Sequence, residues 1–236
     1  MQAFYLHGFA SSAKSAKATF FSGRLASAGV QLYTPDFNEP DFETITIARM
    51  VSQVTRLVDE TAGPVVLIGS SLGAFVAIQA AVHRTSRIRS LVLLAPALEF
   101  GQPEGRGRSG DTVAEPAVDR RLQQLGDRSI EEWRRTDCLQ VFHYGFGRIM
   151  PVRYALYEDA ARYDASAVQL PQPIQVFQGR NDTAVDPDFV RRWSEVRPNV
   201  ELHMLDDDHQ LLASLDYIWE ECRRFLGLQA PYQQIP

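Results

Sequence analysis

The stretch Gly69-Ser70-Ser71-Leu72-Gly73 contains the residue types that nucleophilic serine chemistry requires. It follows the apolar run Val65–Ile68 and leads directly into a helical pattern. A serine at such a strand-to-helix turn is held in a strained conformation, and side chains two residues before and after it would collide. The spacing of the glycines therefore predicts Ser71 as the nucleophile. We expect its neighbour Ser70 to support the turn by hydrogen bonding.

Two later loops offer the base and the acid that a serine nucleophile needs. His209 follows the apolar run Val200–Met204 and is the predicted base. Asp182 follows the run Ile174–Phe177 and is the predicted acid. Its competitor Asp186 directly precedes a proline, and this position is typical of the N-cap of the next helix.

Acyl transfer also needs two donors for the negatively charged oxygen that forms on the substrate. One predicted donor is the backbone N–H of Leu72, directly after the nucleophile. The other is the backbone N–H of Phe9, in the loop that follows the first apolar run. Gly8 permits a close approach in that loop, and we expect His7 to hydrogen-bond within it and hold its shape.

The elements that must position these residues are short apolar runs alternating with amphipathic stretches. This alternation predicts an α/β fold, with a doubly wound, mostly parallel sheet between helices. The predicted strands are Ala3–Leu6, Val30–Tyr33, Val65–Ile68, Leu91–Leu94, Ile174–Phe177 and Val200–Met204. The predicted helices are Ser15–Ala28, Phe42–Thr61, Leu72–His83, Asp188–Val196 and Leu211–Phe225.

Residues 99–172 interrupt the alternation. We interpret residues 1–98 and 173–236 as the core, and residues 99–172 as a cap or lid over the carboxyl edge of the sheet. A solvated surface excursion is the alternative. Within this insertion the sequence predicts two short helices, near Glu115–Leu125 and Ser129–Asp137, and a hairpin in Leu139–Ile149 that turns at Gly145–Gly147.

Aromatic side chains in the insertion are candidates for a substrate pocket. Beneath a lid they would line an apolar acyl pocket; otherwise they form the small core of the insertion itself. The candidates are Trp133, Phe142, Tyr144 and Phe146.

The composition of the 236 residues narrows the functional classes. The chain has 24 basic and 29 acidic residues, a formal net charge of −5, and so lacks the basic character of nucleic-acid-binding proteins. Its two cysteines, Cys138 and Cys222, are too few for a disulfide framework or a CxxC metal pair. The N-terminus has no basic region before its apolar stretch, and no apolar run reaches membrane-spanning length. These features predict a soluble, cytoplasmic chain.

The order of these motifs resembles the α/β-hydrolase superfamily. The matching residues are His7-Gly8-Phe9, Gly69-Ser70-Ser71-Leu72-Gly73, Asp182 and His209. The segment Tyr5–Ser12, with Ser15-Ala16-Lys17 after it, further resembles the small bacterial YqiA-like esterases.

This resemblance implies that the chain hydrolyses a small carboxylic ester or thioester through an acyl-enzyme intermediate, without a metal or organic cofactor. Two departures are the length of the insertion and Ala74, where many members have a second glycine. Two rival hypotheses stay open: the same triad acting on an amide or a carbon–carbon bond, and a non-catalytic binding protein with this fold. The sequence determines neither the natural substrate nor the oligomeric state.

Overall fold

Six parallel strands form the central sheet in the computed structural model, which describes residues 1–102 and 130–229. The strands are β1 (Gln2–Leu6), β2 (Gln31–Tyr33), β3 (Val65–Ser70), β4 (Ile88–Leu94), β7 (Ile174–Gly179) and β8 (Val200–Leu205). Their order across the sheet is β2-β1-β3-β4-β7-β8, and each neighbouring pair is parallel. The predicted α/β fold with a mostly parallel sheet is confirmed.

Within residues 1–102 and 130–229, five helices flank this sheet, and side-chain caps fix where several of them begin. Ser15 and Asp186 cap two of them by accepting a hydrogen bond from a backbone N–H in the first turn, as predicted for Asp186. The helices are α1 (Ala16–Ser27), α2 (Ile47–Glu60), α3 (Leu72–His83), α6 (Pro187–Glu195) and α7 (Leu215–Phe225).

Two predicted helix starts were wrong by several residues. The helix predicted from Phe42 begins at Ile47, because the Thr46 side chain accepts the Arg49 N–H and caps it there. The helix predicted from Leu211 begins at Leu215. Leu211 has a φ of 56°, which is incompatible with a right-handed helix.

The two faces of the sheet bury separate hydrophobic clusters. Successive side chains of a strand point to opposite faces, so Phe4 joins one cluster and Tyr5 the other. The Phe4 cluster includes the buried residues of α2 and α3. The Tyr5 cluster is closed by α1 and α7, through Phe21 and Trp219 among others. Burial on both faces explains why the strands read as continuous apolar runs.

The described part of the insertion, residues 130–172, contains an antiparallel hairpin and two short helices. They are α4 (Ile130–Thr136), β5 (Cys138–His143), β6 (Arg148–Arg153) and α5 (Ala155–Ala160). The predicted hairpin is confirmed, and α4 lies where a helix was expected at 129–137. The helix predicted at 115–125 lies outside the described residues.

This part of the insertion is continuous with the core of the sheet. Trp133, Val152 and Leu156 are buried in the same cluster as the sheet residues. The Asp159 carboxylate accepts the Ala48 N–H at the start of α2, at 2.6 Å. The division of the chain into a hydrolase core and a cap stays a prediction. In residues 1–102 and 130–229, no helix combines the length and hydropathy that crossing a membrane requires.

We expect Gly73→Ala to destabilise the fold by about 3 kcal/mol or more. A Cβ at this position would lie 2.0 Å from the Leu6 carbonyl oxygen, so the backbone of β1 or α3 would have to move. Gly23→Ala is the matched control, because Gly23 lies in α1 and a Cβ added there would meet nothing within 4 Å. This control should gain about 0.5–1 kcal/mol. Urea unfolding of both variants measures the difference, and equal midpoints would contradict the argument.

Candidate active site

Ser71 occupies the sharp turn between β3 and α3. Its φ of 54° and ψ of −116° lie in a strained region that non-glycine residues rarely adopt. A Cβ at position 69 would lie 2.5 Å from the Gly73 carbonyl oxygen, and one at position 73 would meet the end of β1. The predicted strained turn, with glycines required on both sides, is therefore confirmed.

Backbone hydrogen bonds from three directions hold Ser71 in this conformation. Its N–H donates to the Leu94 carbonyl oxygen at the end of β4, at 2.9 Å. Its carbonyl oxygen accepts from the N–H groups of Ala74 and Ala97, at 3.0 and 3.3 Å. Because β4, α3 and the loop after β4 each contribute a hydrogen bond, the surrounding structure holds the turn in its strained conformation.

His209 and Asp182 form a hydrogen-bonded chain with Ser71. His209 Nε2 lies 3.1 Å from Ser71 Oγ, and His209 Nδ1 lies 2.8 Å from Asp182 Oδ2. Both His209 and Asp182 are buried. The three side chains come from the ends of β3, β7 and β8, which meet at one edge because the strands are parallel.

The Asp182 carboxylate is fixed by three further donors. The backbone N–H groups of Ala184 and Val185 donate to Oδ1 at 2.8 and 2.9 Å, and Gln178 Nε2 donates to Oδ2 at 2.9 Å. Burial alone would raise the pKa of Asp182. The hydrogen bond and charge interaction with His209, together with the other donors, outweigh it and place this pKa below its ordinary value.

An ionised Asp182 determines which nitrogen of His209 carries the proton. A carboxylate can only accept, so His209 Nδ1 carries a hydrogen and donates to it. In the neutral ring, Nε2 is then unprotonated and faces the Ser71 hydroxyl. This tautomer can take the serine proton during attack on a carbonyl carbon.

The competing residues have structural roles in the described chain. Asp186 accepts the Asp188 N–H at 2.9 Å as the N-cap of α6, as predicted. His203, inside β8, stacks on Phe177 with ring centroids 4.7 Å apart. Its two ring nitrogens lie 2.7 Å from Glu201 Oε1 and 3.1 Å from the Tyr217 hydroxyl.

The only potential metal-ligand group found in the described residues lies outside the active site. It consists of Glu201, His203 and Glu221, whose ligand atoms lie within 4.8 Å of one another. Two members of this group already contact each other, since His203 Nε2 lies 2.7 Å from Glu201 Oε1.

The loop after β1 lies against the nucleophile. A Cβ at Gly8 would lie 3.2 Å from the Ser70 carbonyl oxygen and 3.3 Å from Ser71 Cβ, closer than most side chains tolerate. Phe9 in this loop and Leu72 at the start of α3 both line a cavity beside Ser71. The two residues that carry the predicted N–H donors thus both line the cavity next to Ser71.

This first cavity has a volume of about 40 Å³ and is mainly apolar. Its polar and charged lining residues are Ser71, Glu99, Asp186 and His209. The apolar lining residues are Phe9, Leu72, Ala97, Leu98, Phe100, Ala184, Val185 and Phe189.

None of the four aromatic residues proposed from the sequence is among the described lining residues of this cavity. Trp133 is buried against Tyr154 and Tyr157, and its indole N–H donates to the Val152 carbonyl oxygen. Such packing corresponds to the alternative of a core formed by the insertion. Phe142, Tyr144 and Phe146 are exposed on the hairpin. The apolar residues that do line the cavity have no distinguishing sequence pattern, since they come from three loops and two helices.

A buried histidine that the sequence left without a role supports the loop after β1. His143 in β5 is fully buried, and its Nδ1 accepts the Phe146 N–H at 3.1 Å. Its Nε2 therefore carries the hydrogen and donates to Asn38 Oδ1 at 3.0 Å. Asn38 Nδ2 donates in turn to the Ser11 carbonyl oxygen at 2.9 Å.

Two more contacts complete this support. The Tyr144 N–H donates to the Ala10 carbonyl oxygen at 2.8 Å, which joins the hairpin directly to the loop. His7 Nδ1 donates to the Gly8 carbonyl oxygen at 2.9 Å, since that oxygen can only accept, and Nε2 lies 3.0 Å from the Phe37 nitrogen and 3.2 Å from Asp36 Oδ1. The expectation that His7 holds the loop by hydrogen bonding is confirmed. Its partners include the loop after β2, which the sequence did not indicate.

The parallel sheet and the strained serine at its carboxyl edge define an α/β-hydrolase-fold protein. The chain belongs to the family described as "Uncharacterised protein family (UPF0227)", whose model matches residues 2–225. The predicted relationship to the YqiA-like group of this superfamily is thereby confirmed. No curated protein sequence matches the chain significantly.

Solved structures of low sequence identity share the fold. Est1E from Butyrivibrio proteoclasticus with bound ferulic acid has a TM-score of 0.74 and 18% identity, over 96% of this chain and 88% of that one. Mouse alpha/beta hydrolase domain-containing protein 10 has a TM-score of 0.70 and 18% identity, over 96% and 89%. A monoacylglycerol lipase from Paleococcus ferrophilus has a TM-score of 0.67 and 16% identity, over 95% and 93%.

His143 should make the stability of the fold depend on pH. Burial, with a smaller effect of His7, lowers its pKa from 6.5 to about 4. Between these values the unfolded chain binds a proton that the folded chain does not, so folding weakens as the pH falls from 6.5 to 4. Urea unfolding from pH 7 to pH 4 should show this loss in the wild type.

His143→Gln should remove the part of the free energy of unfolding that depends on the protonation of His143. The difference in this free energy between wild type and variant should therefore shrink as the pH falls from 6.5 to 4. His83→Gln is the control, because His83 is exposed at the end of α3. A difference from the wild type that stays constant over this range for His143→Gln would contradict the assignment.

Proposed function

We propose that the protein is a serine hydrolase that cleaves a small carboxylic ester or thioester through an acyl-enzyme. The observation that carries this proposal is the hydrogen-bonded chain from Asp182 through His209 to Ser71, with the serine strained at the end of β3. Folding does not require these three side chains to be hydrogen-bonded in this way, and the strained backbone of Ser71 costs free energy. A catalytic role explains both features.

Ser71 and His209 carry out the first half of the reaction. His209 Nε2 removes the Ser71 hydroxyl proton as Oγ attacks the carbonyl carbon, and a tetrahedral intermediate forms. The backbone N–H groups of Phe9 and Leu72 stabilise its oxyanion, supported by the N-terminal end of α3. The protonated His209 then gives its proton to the departing alcohol or thiol, which leaves Ser71 acylated.

Water completes the cycle by the same groups in reverse. His209 deprotonates a water molecule that attacks the acyl carbon, and its proton then returns to Ser71 Oγ as the acid leaves. Throughout, the ionised Asp182 stabilises the imidazolium form of His209 and keeps the ring oriented. Every proton transfer runs through His209 Nε2, so no cofactor is required by this scheme.

The cavity beside Ser71 supports a short or flat apolar acyl group. Its lining is mainly apolar and its volume is small. The likeness to Est1E, whose structure holds ferulic acid, is compatible with an aromatic acyl group.

We also propose a cytoplasmic location, because Cys138 and Cys222 are both free thiols.

Ser71→Ala should lose turnover of 4-nitrophenyl butyrate by about 10⁵-fold and all labelling by a fluorophosphonate probe. The control is Ser70→Ala, which removes the adjacent hydroxyl and should still be labelled. Undiminished turnover in Ser71→Ala, or labelling that depends on Ser70, would contradict the proposed nucleophile. A wild-type protein that is neither labelled nor active would favour a binding protein. The other rival hypothesis is that the same triad cleaves an amide or a carbon–carbon bond. It is tested by assaying substrates with these bonds in parallel with the ester.

Asp182→Asn should reduce kcat by about 10⁴-fold while the protein stays folded. An amide can donate to His209 Nδ1, which favours the tautomer with its proton on Nε2, where it cannot accept the serine proton. Asp188→Asn is the control, because Asp188 is exposed in the first turn of α6 and outside the cavity. Steady-state kinetics and circular dichroism separate loss of activity from loss of fold. Equal kcat values for the two variants would count against Asp182.

A further inference from the structure

The Asp182 carboxylate accepts two hydrogen bonds at each of its two oxygens. Oδ1 accepts the N–H groups of Ala184 and Val185, at 2.8 and 2.9 Å. Oδ2 lies 2.8 Å from His209 Nδ1 and 2.9 Å from Gln178 Nε2. Four donors use the whole accepting capacity of a carboxylate. Gln178 thus shares with His209 the oxygen on which the triad depends.

The neighbours of the Gln178 amide determine which way it points. Its nitrogen lies 2.9 Å from Asp182 Oδ2 and 3.2 Å from the Gly179 carbonyl oxygen. Both of these oxygens can only accept, so they require the NH₂ end of the amide and use both of its hydrogens. A rotated amide would place its own oxygen against a carboxylate. Gln178 therefore faces Asp182 as a donor.

The other end of the same amide lacks a partner. Gln178 is fully buried in β7, and its Oε1 has no hydrogen-bond partner within residues 1–102 and 130–229. A buried acceptor without a donor costs free energy. An apolar side chain would avoid this cost, and Ile174 and Val176, on the same face of the strand, are both apolar. The packing of the sheet therefore does not explain the amide, whereas its hydrogen bond to Asp182 does.

Gln178 ties the carboxylate to the rigid part of the fold. Ala184 and Val185 reach only Oδ1, and both lie in the loop after β7. Gln178 reaches Oδ2 from within β7 itself. Its hydrogen bond also stabilises the negative charge and contributes to the lowered pKa of Asp182. A carboxylate that stays ionised and does not turn leaves the proton on His209 Nδ1.

We propose that Gln178 is a positioning residue of the hydrolase and acts on Ser71 through Asp182 and His209. This inference rests on the proposed serine hydrolase function and extends its hydrogen-bonded chain by one residue into β7. Without this donor, Asp182 Oδ2 can turn away from His209 Nδ1, and the ring is held less often where it accepts the serine proton. Gln178 is not among the described residues that line the cavity beside Ser71, so its loss should affect the chemical step and not substrate binding.

Gln178→Met removes the donor and keeps a side chain of similar length. We expect kcat for 4-nitrophenyl butyrate to fall about tenfold, as for one lost hydrogen bond to a charged group, while KM changes less than about twofold. Gln175→Met is the matched control and should keep the wild-type kcat. Gln175 is also fully buried in β7 with a partnerless Oε1 in the described chain, but its amide nitrogen lies against Glu201 and His203.

Gln178→Glu separates the role of the donor from the role of the shape. A protonated carboxyl group can donate to Asp182 Oδ2 as the amide does, whereas an ionised one can only accept and repels Asp182. Burial and the adjacent negative charge keep the introduced group protonated at about pH 6. We expect its kcat at that pH to be within about threefold of the wild type, and the ratio to fall as the pH rises to about 9.

Proton NMR gives a readout that needs no substrate. The low-field signal of His209 Nδ1–H reports its hydrogen bond to Asp182. This signal should shift in Gln178→Met and stay in place in Gln175→Met. If the wild type hydrolyses no ester, the proposed function fails, and this comparison still decides whether Gln178 positions the pair.

Four results would each overturn the inference. They are an unchanged NMR signal in Gln178→Met, a wild-type kcat in Gln178→Met, an equal loss of kcat in Gln175→Met, and a Gln178→Glu that is no more active at pH 6 than Gln178→Met. Should Gln178→Met fail to fold, the pH profile of Gln178→Glu replaces it. A ratio to the wild type that stays constant from pH 6 to 9 then overturns the inference.

Discussion

The close approach of the turn at Ser71 to the end of β1 is the constraint on which the site depends. The Leu6 carbonyl oxygen occupies the space that any side chain at position 73 would need. This contact brings the first turn of α3 against the loop that begins at His7. Two backbone segments that both lie beside Ser71 are thereby held together without an intervening side chain. Glycine is therefore required beside this turn because it has no Cβ, and its backbone flexibility is less important.

The positions of Ser71, Asp182 and His209 could be predicted because each follows a strand of one parallel sheet. The carboxyl ends of such strands meet at one edge, so chain order becomes spatial proximity. The choice of Asp182 over Asp186 also followed from local chemistry, since a residue before a helix-starting proline is a natural cap. Helix starts at Ile47 and Leu215 were harder to predict, because a side-chain cap and a positive φ override apolar periodicity.

The residues around the triad could not be predicted in the same way. Asn38 and His143 are 105 positions apart, and no local pattern indicates that they meet beneath the loop after β1. The aromatic residues of the insertion looked like a pocket because aromatic side chains suit both pockets and cores. The structure buries Trp133 with its indole hydrogen-bonded, and the cavity beside Ser71 is lined instead by small and aliphatic residues together with other aromatic rings.

The hydrogen bonds beneath the loop after β1 have a consequence for the order of folding. Residues 8–11 lie near the N-terminus, but they are held by contacts to residues 38, 143 and 144. Contacts between residues so distant in sequence form late, because closing long loops costs chain entropy first. During synthesis the strained serine is made long before the hairpin that supports this loop. The support of this loop can therefore form only after residues 143 and 144 have emerged, when most of the chain has been made.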